Sequence, residues 1–369
     1  MSQTYCVITI DGQDVSSGIL PRLTKLSVVD KAGSSSDTCQ IELDDTGGAL
    51  LLPRTGAAIE VMLGSASGVA IVFSGTVDEV QCQGSASGRS MTVSAKGFDS
   101  QGKAKEPQRK HWDDKSLGNV LTEAGQLAGI GDVQVIGALA SLTRKYWAMQ
   151  NESFLHFGER IAREVGGTFK IAGKRAILAD RSGGTSASGE ALPPVSAAWG
   201  VNLISWDISP IVGRPRFKAA RVRHFDTKAG KYVYETEEIE DPEAKADLVD
   251  RFDAPDADQA KARAGAHKKN AERERGGGTI VIDGTTTPQP EATVILSGAR
   301  PGVDGTYRIE TVTHDFESGS GWITRLEVKQ PQGDAGKDGR ASKAATGGRG
   351  GPSSAPTVEA GAVPASNIG

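Results

Sequence analysis

The sequence predicts a mainly β protein in which two strand-rich parts, interpreted as β-barrel domains, flank a small α/β insert. About six strand-like runs lie within residues 1–97, further runs fill residues 203–330, and two helical patterns lie within residues 112–181. The composition agrees with this prediction. Of the 369 residues, 37% are hydrophobic and 5% aromatic, whereas 47 are glycine, and this balance favours many short strands joined by tight turns.

Residues 1–97 are predicted to form the N-terminal β-barrel domain. Asp11-Gly12 is a hairpin signal after the first run, and the apolar run from Val69 to Val80 exceeds the usual strand length. Such a length suits a barrel wall or an edge extended into a partner. The predicted strands are Tyr5–Ile10, Leu23–Val29, Thr38–Leu43, Ala58–Leu63, Ala70–Val80 and Arg89–Ala95.

Residues 98–115 are polar and carry a run of basic residues between Lys103 and Lys110. We interpret them as a solvated linker, and the alternative is contact with nucleic acid or an acidic partner.

Residues 112–181 are predicted to form the α/β insert. Ser116 precedes a helical pattern that ends at Gly129, and a short strand, 132–136, leads towards the second helix. That second helix belongs to the stretch Tyr146–Arg181, which is predicted to form a strand, then the helix, then a β-hairpin.

Capping residues mark the two ends of the helix in this stretch. Asn151 and Ser153 are candidate N-caps, and Gly166-Gly167 supplies the left-handed C-terminal cap. Between them, apolar residues recur at helical spacing, and the hairpin is expected around Ala172-Gly173-Lys174. The apolar positions are Phe154, Phe157, Ile161 and Val165, and the hairpin strands are Thr168–Ile171 and Arg175–Ala179.

The second barrel is predicted over residues 203–330 and is interrupted by a helix at about 257–275. A Gly/Ser/Pro-rich crossing, 182–202, precedes it. The helix has a thin alanine seam, and its exposed side is predicted to carry Lys261, Arg263, Lys268, Lys269, Arg273 and Arg275. The predicted strands are Leu203–Ile208, Phe217–Phe225, Lys231–Glu238, Thr279–Ile282, Glu291–Leu296, Gly305–His314 and Trp322–Val328.

Residues 331–369 form a low-complexity tail rich in glycine, alanine and proline. Such a composition cannot bury enough apolar surface to fold alone.

Charge and hydropathy argue against broad nucleic-acid binding, membrane insertion and secretion. The net charge of −4 argues against broad nucleic-acid affinity, which needs a basic face. No run of 18 apolar residues is present, and the N-terminus lacks the pattern of a signal peptide, so neither membrane insertion nor secretion is expected. Cys6, Cys39 and Cys82 are interpreted as buried thiols in a reducing compartment, and a disulfide between strands or subunits is the alternative.

The search for catalytic chemistry assigns no catalytic, cofactor-binding or metal-ligating residue. The five histidines do not share a metal-ligand spacing, and neither a Gly-x-Ser-x-Gly elbow nor a phosphate-binding loop is present. His156 is expected to be exposed or half-buried and His314 to be structural. The histidines are His111, His156, His224, His267 and His314.

Several short motifs, in order, resemble the phage late control gene D family. His111-Trp112 with Ser116-Leu117 resembles its opening. Tyr146, Gln150-Asn151-Glu152-Ser153, Phe154-Leu155 and Arg160-Ile161-Ala162 resemble its central signature. The C-terminal matches are Pro301–Ile309, Val312-Thr313-His314 and Trp322-Ile323-Thr324. The resemblance covers about 112–330, and residues 1–97 by strand pattern only.

The resemblance implies a baseplate hub protein of a contractile phage tail. It implies two tail-tube-like β-barrels per chain, and a homotrimer whose ring of six barrels matches a sixfold tail tube on one side and a threefold central spike on the other. Expected partners are the tube-end protein, a separate spike protein and the surrounding baseplate wedge proteins, with DNA passing through the lumen. The protein is then expected in the virion after assembly in the host bacterial cytoplasm, without enzymatic activity. Gln150, Asn151, Glu152 and Arg160 are interpreted as capping and packing positions.

Two alternatives remain open at this stage. One is the hub of a related contractile secretion or injection particle. The other is a tail component that binds or degrades the cell wall.

Overall fold

A computed structural model confirms the mainly β class with a smaller helix-containing part. It describes residues 4–33, 36–65, 68–98, 102–181, 183–184, 190–213, 216–241, 243–338 and 340.

Four α-helices and twenty-one strands lie in the described residues. The helices are α1 Ser16–Ile19, α2 Leu117–Leu127, α3 Phe154–Val165 and α4 Ala257–Arg273. The strands of the first half are β1 Tyr5–Ile10, β2 Gln13–Asp14, β3 Leu23–Lys31, β4 Thr38–Asp44, β5 Ala58–Ser65, β6 Gly68–Ser85, β7 Gly88–Lys96, β8 Gln108–Ser116, β9 Asp132–Val135, β10 Thr143–Glu152, β11 Gly167–Ala172 and β12 Arg175–Asp180. The remaining strands are β13 Val195–Ala198, β14 Leu203–Ser209, β15 Ala219–Asp226, β16 Lys231–Glu238, β17 Leu248–Val249, β18 Gly277–Asp283, β19 Thr293–Ser297, β20 Gly305–Glu317 and β21 Gly321–Gln332.

One sheet joins the two strand-rich halves. Its path runs β14-β18-β21-β20-β3-β4-β7-β6-β5-β1-β2, and β13 and β19 branch from β20. The junction is β20, which is long enough to pair with β19 through Gly305–Arg308 and with β3 through Thr311–Glu317 along the same edge. The two halves are therefore continuous in hydrogen bonding.

Each half nevertheless has its own apolar core. Alternate side chains of β3, β4 and β7 point to one face of the sheet, and there Leu26, Ile41 and Val93 pack with Ile8 and Ile59 from β1 and β5. The core of the C-terminal half contains Val195, Ile280, Ile282, Val294, Leu296, Tyr307, Ile309 and Leu326. These two clusters correspond to the two strand-rich parts expected from the sequence.

The insert follows the predicted order of strand, helix and hairpin. Ser153 Oγ accepts a hydrogen bond from the His156 backbone N–H at 3.3 Å, and Gly166 ends α3 with φ +68°. β11 and β12 form the expected hairpin, and β9 joins it in parallel. Phe154, Phe157 and Phe169 are fully buried between the helices and this sheet.

Within the predicted linker at 98–115, residues 108–115 form part of a strand instead of the solvated linker expected from their charge. Gln108–Ser116 forms β8, which pairs antiparallel with β10. The reason is Trp112, which is buried, stacks on Phe157 with ring centroids 5.7 Å apart, and donates its indole N–H to Glu123 at 2.9 Å. One buried aromatic side chain thus anchors a strand whose other positions are polar.

Three expectations for the C-terminal half are corrected. β15 and β16 do not join the second core; together with β17 they form a separate three-stranded sheet, against which α4 packs Ala260 and Ala264. The crossing at 182–202 contains β13, which pairs in parallel with β19. Pro331 and Gln332, expected at the start of the tail, complete β21. Of the predicted tail, residue 339 and residues 341–369 lie outside the described residues.

Candidate assembly surface

Within the described ranges, no group of three or more His, Cys, Asp or Glu side chains could hold a metal ion. His156 is exposed on α3, as expected. His314 is buried within β20, where its Nδ1 lies 3.2 Å from the Thr324 hydroxyl; burial lowers its pKa to about 4, so it is a neutral structural residue at pH 7.

The cysteines are only partly as expected. Cys6 and Cys39 are buried, and burial raises the pKa of Cys6 to about 12. Cys82 is exposed near the end of β6, so the prediction of three buried thiols is wrong for this residue. All three are free thiols in the chain.

The path of the main sheet ends at β14 on one side and at β2 on the other, and part of β6 within it also lacks a neighbour on one side. Edge strand β14 pairs with β18 on one side, and apart from a single bridge between Leu203 and Trp199 it has no other strand partner in the described part of the chain. β6 is bordered by β5 only as far as Thr76, so residues 78–85 pair with β7 alone. Unpaired edges expose backbone N–H and C=O groups, which readily pair with another chain.

Eight strands connect these two edges, and they share one polar face. Along the registers, side chains opposite the two cores form continuous rows across β14, β18, β21, β20, β3, β4, β7 and β6. One such row is Asp283, Ile323, Asp315, Ser27, Gln40, Ser94 and Glu79.

Acidic side chains outnumber basic ones on this polar face. Its basic residues lie beside acidic partners, for example Arg325 Nε at 3.7 Å from Asp315 and Lys25 Nζ at 3.7 Å from Glu317. The acidic members are Glu42, Asp44, Glu79, Asp207, Asp283, Asp315, Glu317 and Glu327, and the basic members are Lys25, Lys31, Lys96, Arg325 and Lys329. The face is therefore hydrophilic and carries net negative charge.

A buried ionic cluster fixes α4 to the main sheet. Arg273, at the end of α4, is 2% exposed. Its Nε donates to Glu310 at 2.6 Å, and its Nη1 donates to Glu291 at 3.1 Å. The prediction that Arg273 lies on the exposed side of the helix is wrong, because it binds Glu310 of β20 and Glu291 of the segment before β19.

A second polar cluster fixes the insert to the N-terminal half. Lys170 Nζ of β11 lies 2.5 Å from Asp30 and 2.8 Å from Asp37. Burial, together with the charge of Asp30, raises the pKa of Asp37 to about 7, although Lys170 opposes the shift. Sequence reasoning missed this cluster, whose members lie some 140 positions apart.

Of the four signature residues, Glu152 and Arg160 pack as expected, whereas Gln150 and Asn151 are exposed. Arg160 binds both carboxylate oxygens of Glu152, at 2.6 and 3.1 Å, and donates to the Ala148 carbonyl at 2.7 Å. Glu164 joins this arginine to Arg144, which stacks on Trp147 at 4.3 Å. Asn151 takes φ +54° just before the cap. These groups orient α3 on β10.

No helix in the described ranges has the length and apolar character needed to cross a membrane.

Comparisons with known proteins agree with this organisation. The model of the family described as phage tail baseplate hub (GPD) matches residues 35–320. The probable baseplate hub protein of Escherichia phage 186 is 25% identical over 366 residues, covering 88% of this chain and 92% of that protein.

Two solved structures share the fold. A tail protein from Neisseria meningitidis MC58 superposes with a TM-score of 0.68 at 14% identity, covering 88% of this chain and 96% of its own. The E. coli c3393 protein, a component of the type VI secretion system, superposes with a TM-score of 0.55 at 10% identity, covering 90% and 78%.

Proposed function

This chain belongs to the phage tail baseplate hub (GPD) family, and on that premise we propose that three copies close into a ring between the tail tube and the central spike. The observation that carries the proposal is the pair of unpaired edges, on β14 and on residues 78–85 of β6, at the two ends of an eight-strand series. In a ring, each β14 pairs with β6 of the next copy. This heterologous contact closes when the rotation is one third of a turn.

The strand directions suit this closure. Neighbours in the series are antiparallel throughout, so β6 and β14 run in opposite directions and their edges pair antiparallel between copies. The two edges lie towards opposite rims of the sheet, because β14 extends from Leu203 towards Ser209 while β6 extends from Val77 towards Ser85 in the other direction. Such a stagger is what tilted strands need to close a barrel.

The two halves of each chain, each with its own core, account for the change from sixfold to threefold symmetry in this proposal. Residues 1–97 and 203–330 supply four strands each to the series, so three chains present six similar units to a sixfold tube. The insert, α4 and the small β15–β17 sheet occur once per chain and give the threefold character needed for a spike.

The polar face of the series is the channel lining in this proposal. Closure with the cores outside turns that face inwards, where its excess of carboxylates repels phosphate groups. DNA then passes without adhering, because binding to the backbone requires basic groups that neutralise phosphates. The protein acts by geometry and not by catalysis, as a virion component assembled in the host cytoplasm beside tube, spike and wedge proteins.

The test is the mass of the purified chain, alone and with its tube-end and spike proteins. We expect a trimer, and a folded monomer that never trimerises with both neighbours present would refute the proposal.

Two proline variants, Gln81→Pro and Cys82→Pro, probe the β6 edge. Alternate N–H groups of a strand point to opposite sides, so one of these variants keeps the β7 ladder and blocks only the outer edge. That variant is expected to melt like the wild type and remain monomeric, whereas Cys82→Ser is expected to trimerise. Trimers from both folded proline variants would exclude this edge as the contact.

A second candidate is the hub of a contractile secretion or injection particle, favoured by the shared fold of the E. coli type VI component. Neighbouring genes for a tail tube, sheath and spike within a phage late region would favour the first proposal. A cell-wall-degrading role predicts release of fragments from purified peptidoglycan, and we expect none.

A further inference from the structure

Two groups of exposed apolar side chains border the two unpaired strand edges. One, the tryptophan patch, consists of Trp199, Val201 and Ile204, which are 57%, 79% and 47% exposed. The other, the leucine loop, consists of Leu51 and Leu52, which are 93% and 65% exposed. Adjacent large apolar side chains left in water are typical of a surface that a partner covers.

The tryptophan patch is held rigidly at the start of β14. Its turn is braced by Asn202, whose side chain accepts a hydrogen bond from Ala198 N at 2.9 Å and donates one to the Ser196 carbonyl at 2.9 Å. Trp199 N donates to the Ser297 carbonyl at 3.0 Å. Ile204 lies at the bulge between Leu203 and Ser205, outside the ladder with β18. The patch is therefore fixed directly beside the unpaired edge of β14.

The leucine loop joins β4 to β5, and its two ends are fixed near the two ends of the free part of β6. At its first end, Asp45 N donates at 3.0 Å to the carbonyl of Arg89, which pairs with Gly84 of β6. Asp45 accepts hydrogen bonds from Leu50 N at 3.0 Å, through its side chain, and from Gly48 N at 2.8 Å, through its carbonyl. At the far end of the loop, Gly56 N donates to the Val77 carbonyl at 2.7 Å and Val77 N donates to the Ala57 carbonyl at 2.9 Å. Val77 is the residue after which the outer edge of β6 becomes free.

We propose that the tryptophan patch of one copy packs on the leucine loop of the next copy, forming an apolar seam outside the paired strands. This inference rests on the proposed ring, because only there do β14 and β6 of different copies meet. A second copy is the occupant because both patches are continuous with the edges that close the ring. Each copy then buries one patch on each flank, as a heterologous cyclic contact requires.

The apolar seam contributes free energy of association that strand pairing alone does not supply. Backbone hydrogen bonds between edges replace bonds to water and contribute little net affinity, whereas a rigid tryptophan and leucines that leave water supply a large favourable term. Because both loops are already ordered, little conformational freedom is lost on association.

The test uses the full chain with charges placed in the two patches. Val201→Lys and Leu52→Glu each put a charge against an apolar partner, and each is expected to weaken trimer formation about 10-fold or more. The chain that carries both substitutions places lysine of one copy against glutamate of the next, and is expected to regain part of that loss. Phe252→Lys is the matched control: Phe252 is 66% exposed, but it lies after β17, in the separate small sheet, and its substitution is expected to leave association unchanged.

Mass measured over a range of concentrations, with melting curves to verify folding, separates the outcomes. The seam is supported if both single variants trimerise more weakly, the double variant recovers part of the affinity, and the control associates like the wild type. Trimers of wild-type affinity from both single variants overturn the seam and leave the ring proposal standing. A wild type that stays monomeric with its neighbours present overturns the ring and the seam together.

Discussion

Replacing Arg273 with methionine should destabilise the protein far more than its position in a charged helix suggests. The side chain of Arg273 is 3% exposed, and those of Glu291 and Glu310 are each 11% exposed. Removing the guanidinium takes away the cation that bridges these two largely buried carboxylates. Loss of one partner from a buried ionic group costs about 3–5 kcal/mol, and we expect the free energy of unfolding to fall by that amount.

Matched variants separate the buried charge from the loss of helix contacts. Arg273→Lys keeps the charge but not the planar fork that reaches both carboxylates, so a smaller loss is expected. Adding Glu291→Gln and Glu310→Gln to Arg273→Met removes the negative charges of the two carboxylates and should restore part of the stability. Lys269→Ala removes a surface ion pair with Asp180 whose side chains are 37% and 52% exposed, and it should cost about 0–1 kcal/mol.

The assay is urea unfolding followed by tryptophan fluorescence, since Trp206 packs against the core of the sheet that receives Arg273. A loss below about 1 kcal/mol for Arg273→Met, equal to that of the Lys269 control, would show that the cluster is not a stabilising contact.

Three further predictions concern titration and close packing. The pKa of His314 is lowered to about 4 by burial, so the stability it contributes is present above about pH 6.5 and is lost as pH falls towards 4; His314→Gln should flatten melting temperature against pH in that window, and an unchanged acid slope would contradict this. The pKa of Asp37 is raised to about 7 by burial and the nearby Asp30, so its favourable contribution is present at acidic pH and is lost as pH rises through 7. Relative to the wild type, Asp37→Asn should become more stable by on the order of 1 kcal/mol as the pH rises from 5 to 8. A difference in unfolding free energy that stays constant over this range would refute the raised pKa. Gly278→Ala places a Cβ 2.0 Å from the Asp207 carbonyl, which should push β14 away and lower stability by more than about 2 kcal/mol. Gly265→Ala, in α4 with open space around it, should instead be neutral or stabilising by about 0.5–1 kcal/mol, and equal effects of the two changes would be contrary to the packing described.

The sequence by itself determined the local elements and the family. Ser153, Gly166 and the apolar spacing of α3 specify a capped helix through contacts within a few residues, and the structure reproduces that helix and its hairpin. Strand positions in both halves followed in the same way from alternation and turn residues. The errors at residues 98–115 and at β13 have one cause: those strands are stabilised by partners far away in sequence, such as Trp112 against Phe157, and not by their own composition.

Only the tertiary structure decided how the halves join and where the candidate assembly surface lies. The pairing of β20 with β3 brings Asp315 beside Ser27, 288 positions apart, and no local pattern indicates that register. Arg273 shows the same limit, because helix periodicity cannot reveal two carboxylates that come from later parts of the chain, Glu291 before β19 and Glu310 in β20. The unpaired edges of β14 and β6 are likewise a property of the whole sheet: a strand is an edge only because of what does not pair with it.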